Sequence, residues 1–152
     1  MKTLYFLRGL PASGKTTWAL EKLATLNKNG KSCVVRTNKD EIRKELGEEG
    51  KSSENEVISR EIGLVTNALE AGMDVIVDNT HLHPPHELRY RQLAQNYGYK
   101  FVLKSFTHVP LLECIRRDKT RANPVGALAI RRMYAQYLNL KENSRTIERS
   151  KK

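Results

Sequence analysis

Four short apolar runs have the length and composition of buried strands: residues 3–8, 32–37, 74–78 and 100–106. Helical spacing, or residues that start and stop helices, marks most of the chain between and after these runs: 15–28, 40–46, the stretch from Ser53 to Gly72, 84–97, 110 to about 117, and 126–140. Strands that alternate with helices of this length indicate a parallel sheet covered on both faces. The sequence therefore predicts an α/β fold with a central parallel sheet of four to five strands flanked by helices.

The longest predicted helix follows a polar loop at residues 47–53. Ser53 and Glu56 have the spacing of a capping box, which satisfies backbone N–H groups at a helix start. The apolar positions that follow are predicted to form its buried face: Ile58, Ile62, Val65 and Leu69.

Chain length and composition favour one domain. The 152 residues can form one core but not two, and 39% apolar content fits a globular protein. No apolar run approaches the ~20 residues of a membrane span, and residues 1–8 lack the layout of a secretory signal. We expect a single domain at 1–140 and a basic, flexible tail at 141–152, in the cytoplasm (of the host, if phage-encoded). Cys33 and Cys114 fit no ligand spacing and are predicted to be reduced core thiols.

Charge narrows the possible partners. The net charge is +10, and residues 110–132 carry six Lys/Arg against two acidic residues. The tail at 141–152 carries five against two. Such an excess suits a polyanionic partner, although a basic, well-solvated surface would explain the composition alone equally well.

A phosphate-binding motif lies between the first strand and the first helix. Residues 9–16 read GLPASGKT and match G-x-x-x-x-G-K-[ST] at every fixed position. Lys15 is predicted to neutralise the β- and γ-phosphates of ATP, and the Thr16 hydroxyl to ligate Mg²⁺. The loop and first helical turn are predicted to bind the nucleotide: Gly9, Ala12, Ser13, Gly14, Lys15, Thr16 and Thr17. The alternatives are a purely structural glycine turn and a nucleotide site without catalysis.

Acceptor residues are expected where the other strands end, because these ends face the same crevice. Asp40 follows the second strand and could accept a proton from an attacking hydroxyl, whereas the alternative is that it only caps a helix. Arg43, one turn on, could bind an anionic group of the acceptor. Asp78, beside Asn79, ends the third strand and could either orient Mg²⁺-bound water or hold the acceptor.

Arg117 and Arg121 are four residues apart, so we expect a helical turn to place them on one face as a phosphate clamp. Asn123, Pro124 and Gly126 would then break the helix as a hinged lid requires, and a solvated basic face is the alternative. A histidine group follows the third strand: His81, His83 and His86. Pro84 and Pro85 disrupt shared helical spacing there, so these histidines are predicted to be loop or surface residues and not metal ligands.

Taken in order, these segments resemble the polynucleotide 5′-hydroxyl kinases, especially the phage and bacterial RNA-repair type. The resemblance covers nearly the whole chain: residues 9–19, 38–43, 78–84, 117–121 and 130–134. It implies a P-loop kinase fold with a basic helical lid, and transfer of the ATP γ-phosphate to a 5′-hydroxyl end of RNA or DNA. The sequence departs from the family pattern in two places. Asn79 and Thr80 stand where the family often reads Thr-Asn, and Gly126 replaces a proline.

The resemblance also implies roles for individual residues. It implies that Asp40 is the general base and acts in catalysis together with Lys15 and Arg121. Arg43 would bind the acceptor phosphate. Arg117 and Arg121 clamp the ATP phosphates, and Asp78 with Asn79 contacts the acceptor side. The implied partner is single-stranded or end-exposed nucleic acid, with no membrane and no stable protein partner.

Two other functions remain open from the residues. A kinase of a small-molecule hydroxyl (a nucleoside, sugar or antibiotic) would share the donor site and use an Asp base equally well. A nucleotide-dependent binding switch would need no catalytic base. Arg43 and the basic excess favour the polynucleotide hypothesis over the first, and Asp40 favours it over the second.

Overall fold

The computed structural model describes residues 2–27, 33–50 and 53–139. Its sheet has four parallel strands: β1 (Thr3–Arg8), β2 (Val34–Thr37), β3 (Asp74–Val77) and β4 (Lys100–Ser105). The order is β2-β3-β1-β4, with Phe6 opposite both Val77 and Leu103. The predicted parallel α/β sheet is confirmed, and every described strand ends at the same edge.

Helices cover both faces of the sheet. They are α1 (Lys15–Leu26), α2 (Lys39–Glu48), α3 (Glu54–Glu70), α4 (Pro84–Asn96), α5 (Leu111–Asp118) and α6 (Ala127–Met133), which continues as a π-helical turn at Tyr134–Leu138. The predicted helices form with shifted ends, and the predicted tail at 141–152 lies outside the described residues. None of the helices described is long and apolar enough to cross a membrane.

The core follows from the two-residue periodicity of the strands. Leu4, Phe6 and Val77 face α3 and α4, whereas Leu7 and Ile76 face Ala19-bearing α1 on the opposite side. A further cluster lies under the P-loop and between α5 and α6: Leu10, Leu82, Cys114, Ile115 and Ile130. Cys114 is therefore a core thiol as predicted, whereas Cys33 is only half-buried.

Helix α3 differs from its predicted face. The Ser53 hydroxyl accepts from Glu56 N as the capping pattern predicts. The buried positions, however, are Val57, Glu61, Val65, Ala68 and Leu69, while Ile58 and Ile62 are half-buried. Relative to the predicted orientation, the helix is rotated about its axis so that the Glu61 carboxylate is buried. The hydrogen bonds to this carboxylate come from residues distant in sequence. The spacing of apolar residues cannot predict that a charged residue lies on the buried face.

Candidate active site

A cleft of about 1080 Å³ lies where the strands end. Most of the sequence-predicted site residues line it: Ala12, Gly14, Lys15, Thr16, Thr17, Asp40, Arg43, Asp78, Asn79, Arg117 and Arg121. Gly9 and Ser13 belong to the P-loop but do not line the cleft. Ser13 is buried and packs closely against Gly9. Residues predicted separately for the donor and the acceptor thus meet in one space.

The P-loop conformation depends on its glycines. A Cβ on Gly9 would lie 2.6 Å from Ser13 Oγ and 2.9 Å from Phe106 Cβ, so a larger residue does not fit. Gly14 has φ 105° and begins α1 without any side-chain cap. The first N–H groups of α1 are therefore left for a ligand, which is the arrangement of a phosphate site at a helix N-terminus.

Lys15 is folded into this loop. Its Nζ donates to the carbonyl oxygens of Gly9 at 2.8 Å and Leu10 at 2.6 Å, and the residue is buried. Burial lowers the pKa of Lys15 to about 8, although the Asp78 carboxylate acts in the opposite direction. The ammonium is held where phosphate oxygens would bind.

Asp78 links the P-loop to the neighbouring strands. Its buried Oδ2 accepts from Thr16 Oγ1 at 2.9 Å and from Arg36 Nε and Nη2 at 3.0 and 2.8 Å. Arg36 in β2 was not predicted from the sequence, although an arginine within an apolar strand was a detectable signal. Asp78 Oδ1 is buried and has no partner in the part of the chain that the structure describes.

This unpaired oxygen beside a threonine hydroxyl fits a Mg²⁺ site. Mg²⁺ prefers oxygen ligands, keeps several waters, and is often held by one or two protein groups plus substrate phosphates. Thr16 and Asp78 offer such groups, and a group of three or more His, Cys, Asp or Glu ligands does not occur among the residues described.

The acceptor side begins at α2. Asn38 Oδ1 accepts from Glu41 N at 3.0 Å and caps the helix, so the alternative that Asp40 is the cap is wrong. The Asp40 side chain is 78% exposed, and its Oδ1 lies 2.6 Å from Arg43 Nη1. Arg43 also donates from Nε and Nη2 to the two oxygens of Glu54, at 3.1 and 2.8 Å. Its charge is shared between two carboxylates.

Asn79 fixes the start of α2. Its Oδ1 accepts from Lys39 N at 2.8 Å, and its Nδ2 donates to Glu61 Oε2 at 2.9 Å and lies 3.2 Å from His81 Nε2. Glu61 is fully buried and also accepts from Tyr90 Oη at 2.7 Å. The Asn79 amide is thus bonded to the protein itself, and its contact with an acceptor stays a prediction.

His81 and His83 lie in the loop between β3 and α4, as predicted, whereas His86 lies in α4. His81 is nevertheless not a surface residue. This residue is 3% exposed and stacks on Phe6 with ring centroids 3.8 Å apart. Burial lowers its pKa to about 3, so the ring is neutral and Nδ1 donates to Leu7 O at 2.7 Å. His83 is exposed and His86 half-buried, and both line the cleft.

The prediction that the lid arginines, Arg117 and Arg121, share one helical face is wrong. Helix α5 ends at Asp118, so Arg117 lies on the helix and Arg121 in the following loop, although both line the cleft. The buried Asp118 carboxylate accepts from Val125 N at 3.0 Å and Gly126 N at 2.9 Å. It therefore closes the loop that carries Arg121. No local pattern in the sequence indicates these contacts, which span seven and eight residues.

Asp118→Ala should loosen this loop, because the amides of Val125 and Gly126 lose a charged acceptor. Hydrogen bonds to charged groups are worth about 1.5–3 kcal/mol, so exchange of these amides with solvent should accelerate about tenfold or more. Hydrogen–deuterium exchange measures this rate. Lys119→Ala, at an exposed neighbouring position, is the control and should leave it unchanged. Equal exchange in the Asp118 and Lys119 variants would contradict the proposed role of Asp118.

The depressed Lys15 pKa gives nucleotide affinity a pH dependence. Phosphates bind the protonated amine of Lys15. Without nucleotide, this amine loses its proton as the pH rises above about 8. Affinity for ADP with Mg²⁺ should therefore weaken about tenfold from about pH 7.5 to 9. Calorimetry in two buffers of different ionisation enthalpy should show uptake of about one proton at about pH 9 and almost none at about pH 7. Affinity and proton uptake that stay constant over this range would show that Lys15 remains fully protonated without nucleotide.

Comparisons with known proteins agree with this geometry. A chain from the structure of the Pnkp1/Rnl/Hen1 RNA repair complex aligns with a TM-score of 0.72 and 24% identity, over 93% of this chain and 46% of that chain. A second structure of the Pnkp1/Rnl/Hen1 complex gives 0.63 and 25%, over 82% and 42%. The present chain thus spans slightly less than half the length of these two matches.

Mycobacterium tuberculosis APS kinase CysC, in complex with AMPPNP and APS, gives a TM-score of 0.62 and 26% identity, over 78% of this chain and 69% of that one. These matches confirm the P-loop kinase fold, support phosphotransfer, and agree with the resemblance to polynucleotide kinase-type P-loop phosphotransferases. The family model AAA_33, described as an AAA domain, matches residues 4–140. Since that match spans most of the sequence, the chain belongs to the AAA_33 family of P-loop kinase-type AAA domains.

Proposed function

We propose that the protein transfers the γ-phosphate of ATP to the 5′-hydroxyl end of a polynucleotide, RNA or DNA. The observation that carries this proposal is the pairing of two sites in one cleft. The phosphate cradle with Lys15 and the exposed Asp40 carboxylate, which is paired with the Arg43 guanidinium, line the same cleft. Such a cleft has a donor site, a base and positive charge for an anionic acceptor.

On the donor side, the open N-terminus of α1 and Lys15 would bind the β- and γ-phosphates of ATP. Arg117 and Arg121 line the same cleft and would stabilise charge on the phosphoryl group in transit. Mg²⁺, held through Thr16 and Asp78, would neutralise further charge on the donor phosphates.

On the acceptor side, Asp40 would accept the proton of the attacking 5′-hydroxyl. The Arg43 guanidinium, 2.6 Å from Asp40 Oδ1, orients this carboxylate. Because Asp40 lies in the second position of α2, its place depends on the cap at Asn38 and on the bond between Asn79 and Lys39 N.

A polynucleotide acceptor is favoured over a neutral small molecule by the net charge of +10 and by cations around the proposed base. The 25% identical match to a chain of the Pnkp1/Rnl/Hen1 complex supports it as well. The APS kinase match, at 26% identity, favours a small-molecule hydroxyl as the second candidate. The two RNA-repair matches come from complexes, so the expected lack of a stable protein partner stays a prediction.

The direct test offers ATP labelled at the γ-phosphate, with Mg²⁺, to 5′-hydroxyl oligonucleotides, nucleosides and simple sugars. We expect label at the 5′ end of the oligonucleotides. Asp40→Asn should lower kcat about 10²- to 10⁴-fold by removing the base, while ADP affinity stays within about threefold.

Glu45→Gln is the matched control, since Glu45 is an exposed acid on the same helix, and it should keep wild-type activity. Transfer to sugars or nucleosides but not to oligonucleotides would establish the small-molecule alternative. Full activity of the Asp40 variant would remove Asp40 as the base, and nucleotide binding without any transfer would point to a binding switch.

A further inference from the structure

Arg36 is the only charged residue of β2, and its side chain is 13% exposed. Its guanidinium lies between two carboxylates. Nε and Nη2 both donate to Asp78 Oδ2, at 3.0 and 2.8 Å, and Nη1 donates to Glu41 Oε1 at 2.9 Å. Arg36 does not line the cleft itself, whereas its partner Asp78 does.

The contacts of Arg36 make the two oxygens of Asp78 unequal. Oδ2 accepts three hydrogen bonds, two from Arg36 and one from Thr16 Oγ1 at 2.9 Å. Oδ1 is buried and accepts none from the described residues. A carboxylate oxygen has about two lone-pair positions, so Oδ2 has no room for a further ligand. A group that binds Asp78 from the cleft therefore has to use Oδ1.

Three hydrogen bonds to one oxygen also fix how the carboxylate is turned. Rotation of the Asp78 side chain would break two bonds from a charged donor at a buried site, and charge-assisted hydrogen bonds are the stronger kind. Thr16 supplies only one neutral donor and would hold the carboxylate less tightly. Arg36 thus contributes most of the restraint on where Oδ1 lies.

We propose that Arg36 is a positioning residue for the Mg²⁺ site of the cleft: it occupies Asp78 Oδ2 and so keeps Oδ1 in place for the ion or its bound water. Groups behind the ligands of a metal site commonly orient those ligands in this way. The inference rests on the expectation that Thr16 and Asp78 hold Mg²⁺. It does not depend on which hydroxyl the protein phosphorylates.

Charge and position predict opposite effects when Arg36 is replaced. Arg36 is a cation beside a site for another cation, so by charge alone its loss would strengthen Mg²⁺ binding. If Arg36 acts by position, its loss frees the Asp78 carboxylate to turn and weakens Mg²⁺ binding. The direction of the change therefore distinguishes the two roles.

The test measures ADP affinity by calorimetry, once with saturating Mg²⁺ and once in EDTA. The ratio of the two affinities reports how well the site binds Mg²⁺ together with the nucleotide. In Arg36→Gln this ratio should fall about 10- to 100-fold, while ADP affinity in EDTA stays within about threefold. Arg36→Lys keeps the charge and can donate one bond to Asp78, so its ratio should fall about three- to tenfold. It provides the test if Arg36→Gln fails to fold.

Two variants serve as controls. Arg60→Gln removes an exposed pair with Glu49, 3.3 Å apart, and should leave the ratio unchanged. Glu41→Gln weakens the other contact of Arg36 but leaves the bonds to Asp78, so the ratio should change less than about threefold. An equal fall in the Glu41 and Arg36 variants would mean that Arg36 acts through α2, and would overturn the proposal.

The remaining outcomes separate this inference from the assignments around it. An unchanged or larger ratio in Arg36→Gln would show that Arg36 does not position the site. Asp78→Asn should lose most of the ratio, and if it keeps the ratio, Asp78 is not the residue through which Arg36 acts. A wild-type protein whose ADP affinity ignores Mg²⁺ would refute the site and the inference together. No acceptor is used, so transfer to oligonucleotides can fail while the role of Arg36 stands.

Discussion

The segment at residues 78–81 holds the donor and acceptor halves of the cleft in one frame. On the donor side its backbone accepts from Gly9 N at 3.0 Å, and the Asp78 carboxylate accepts from Thr16. On the acceptor side it accepts from the Asn38 amide and from Lys39 N, both at 2.8 Å. A phosphate cradle and a helix that carries the proposed base are thereby fixed to the end of one strand. Reaction between two bound substrates depends on this kind of fixed geometry.

Most residues of the segment are buried, which restricts its motion, and hydrogen bonds offset the free-energy cost of burying its polar groups. His81 stacks on Phe6 and bonds to Leu7 O, while Glu61 accepts from Asn79 and from Tyr90. A buried network with its members satisfied specifies one arrangement, whereas an unpaired buried group costs stability. Two of the buried atoms that remain unpaired among the described residues belong to residues that line the cleft, Asp78 Oδ1 and His86 Nδ1. Asp78 is one of the two residues that we expect to hold Mg²⁺.

Local patterns predicted the sheet, the P-loop and the Ser53 cap of α3, because strand runs, glycine spacing and caps act over a few residues. They failed where contacts cross the chain. Arg36 meets Asp78 over 42 residues, and Glu61 meets Tyr90 over 29. The four-residue spacing of Arg117 and Arg121 suggested one helical face. Helix α5 ends at Asp118, however, and the Asp118 carboxylate instead bonds to the loop that carries Arg121. Buried polar residues are therefore the part of this site that apolar periodicity could not supply.

Asn79→Ala tests the coupling of the two halves most directly, because it removes the bond to Lys39 N and leaves the P-loop contacts of Asp78 in place. The measurement is kcat for phosphate transfer beside ADP affinity in the same folded variant. If the segment positions the acceptor side, kcat should fall about 10²-fold while ADP affinity stays within about threefold. An unchanged kcat, or ADP affinity that falls in the same proportion, would contradict it.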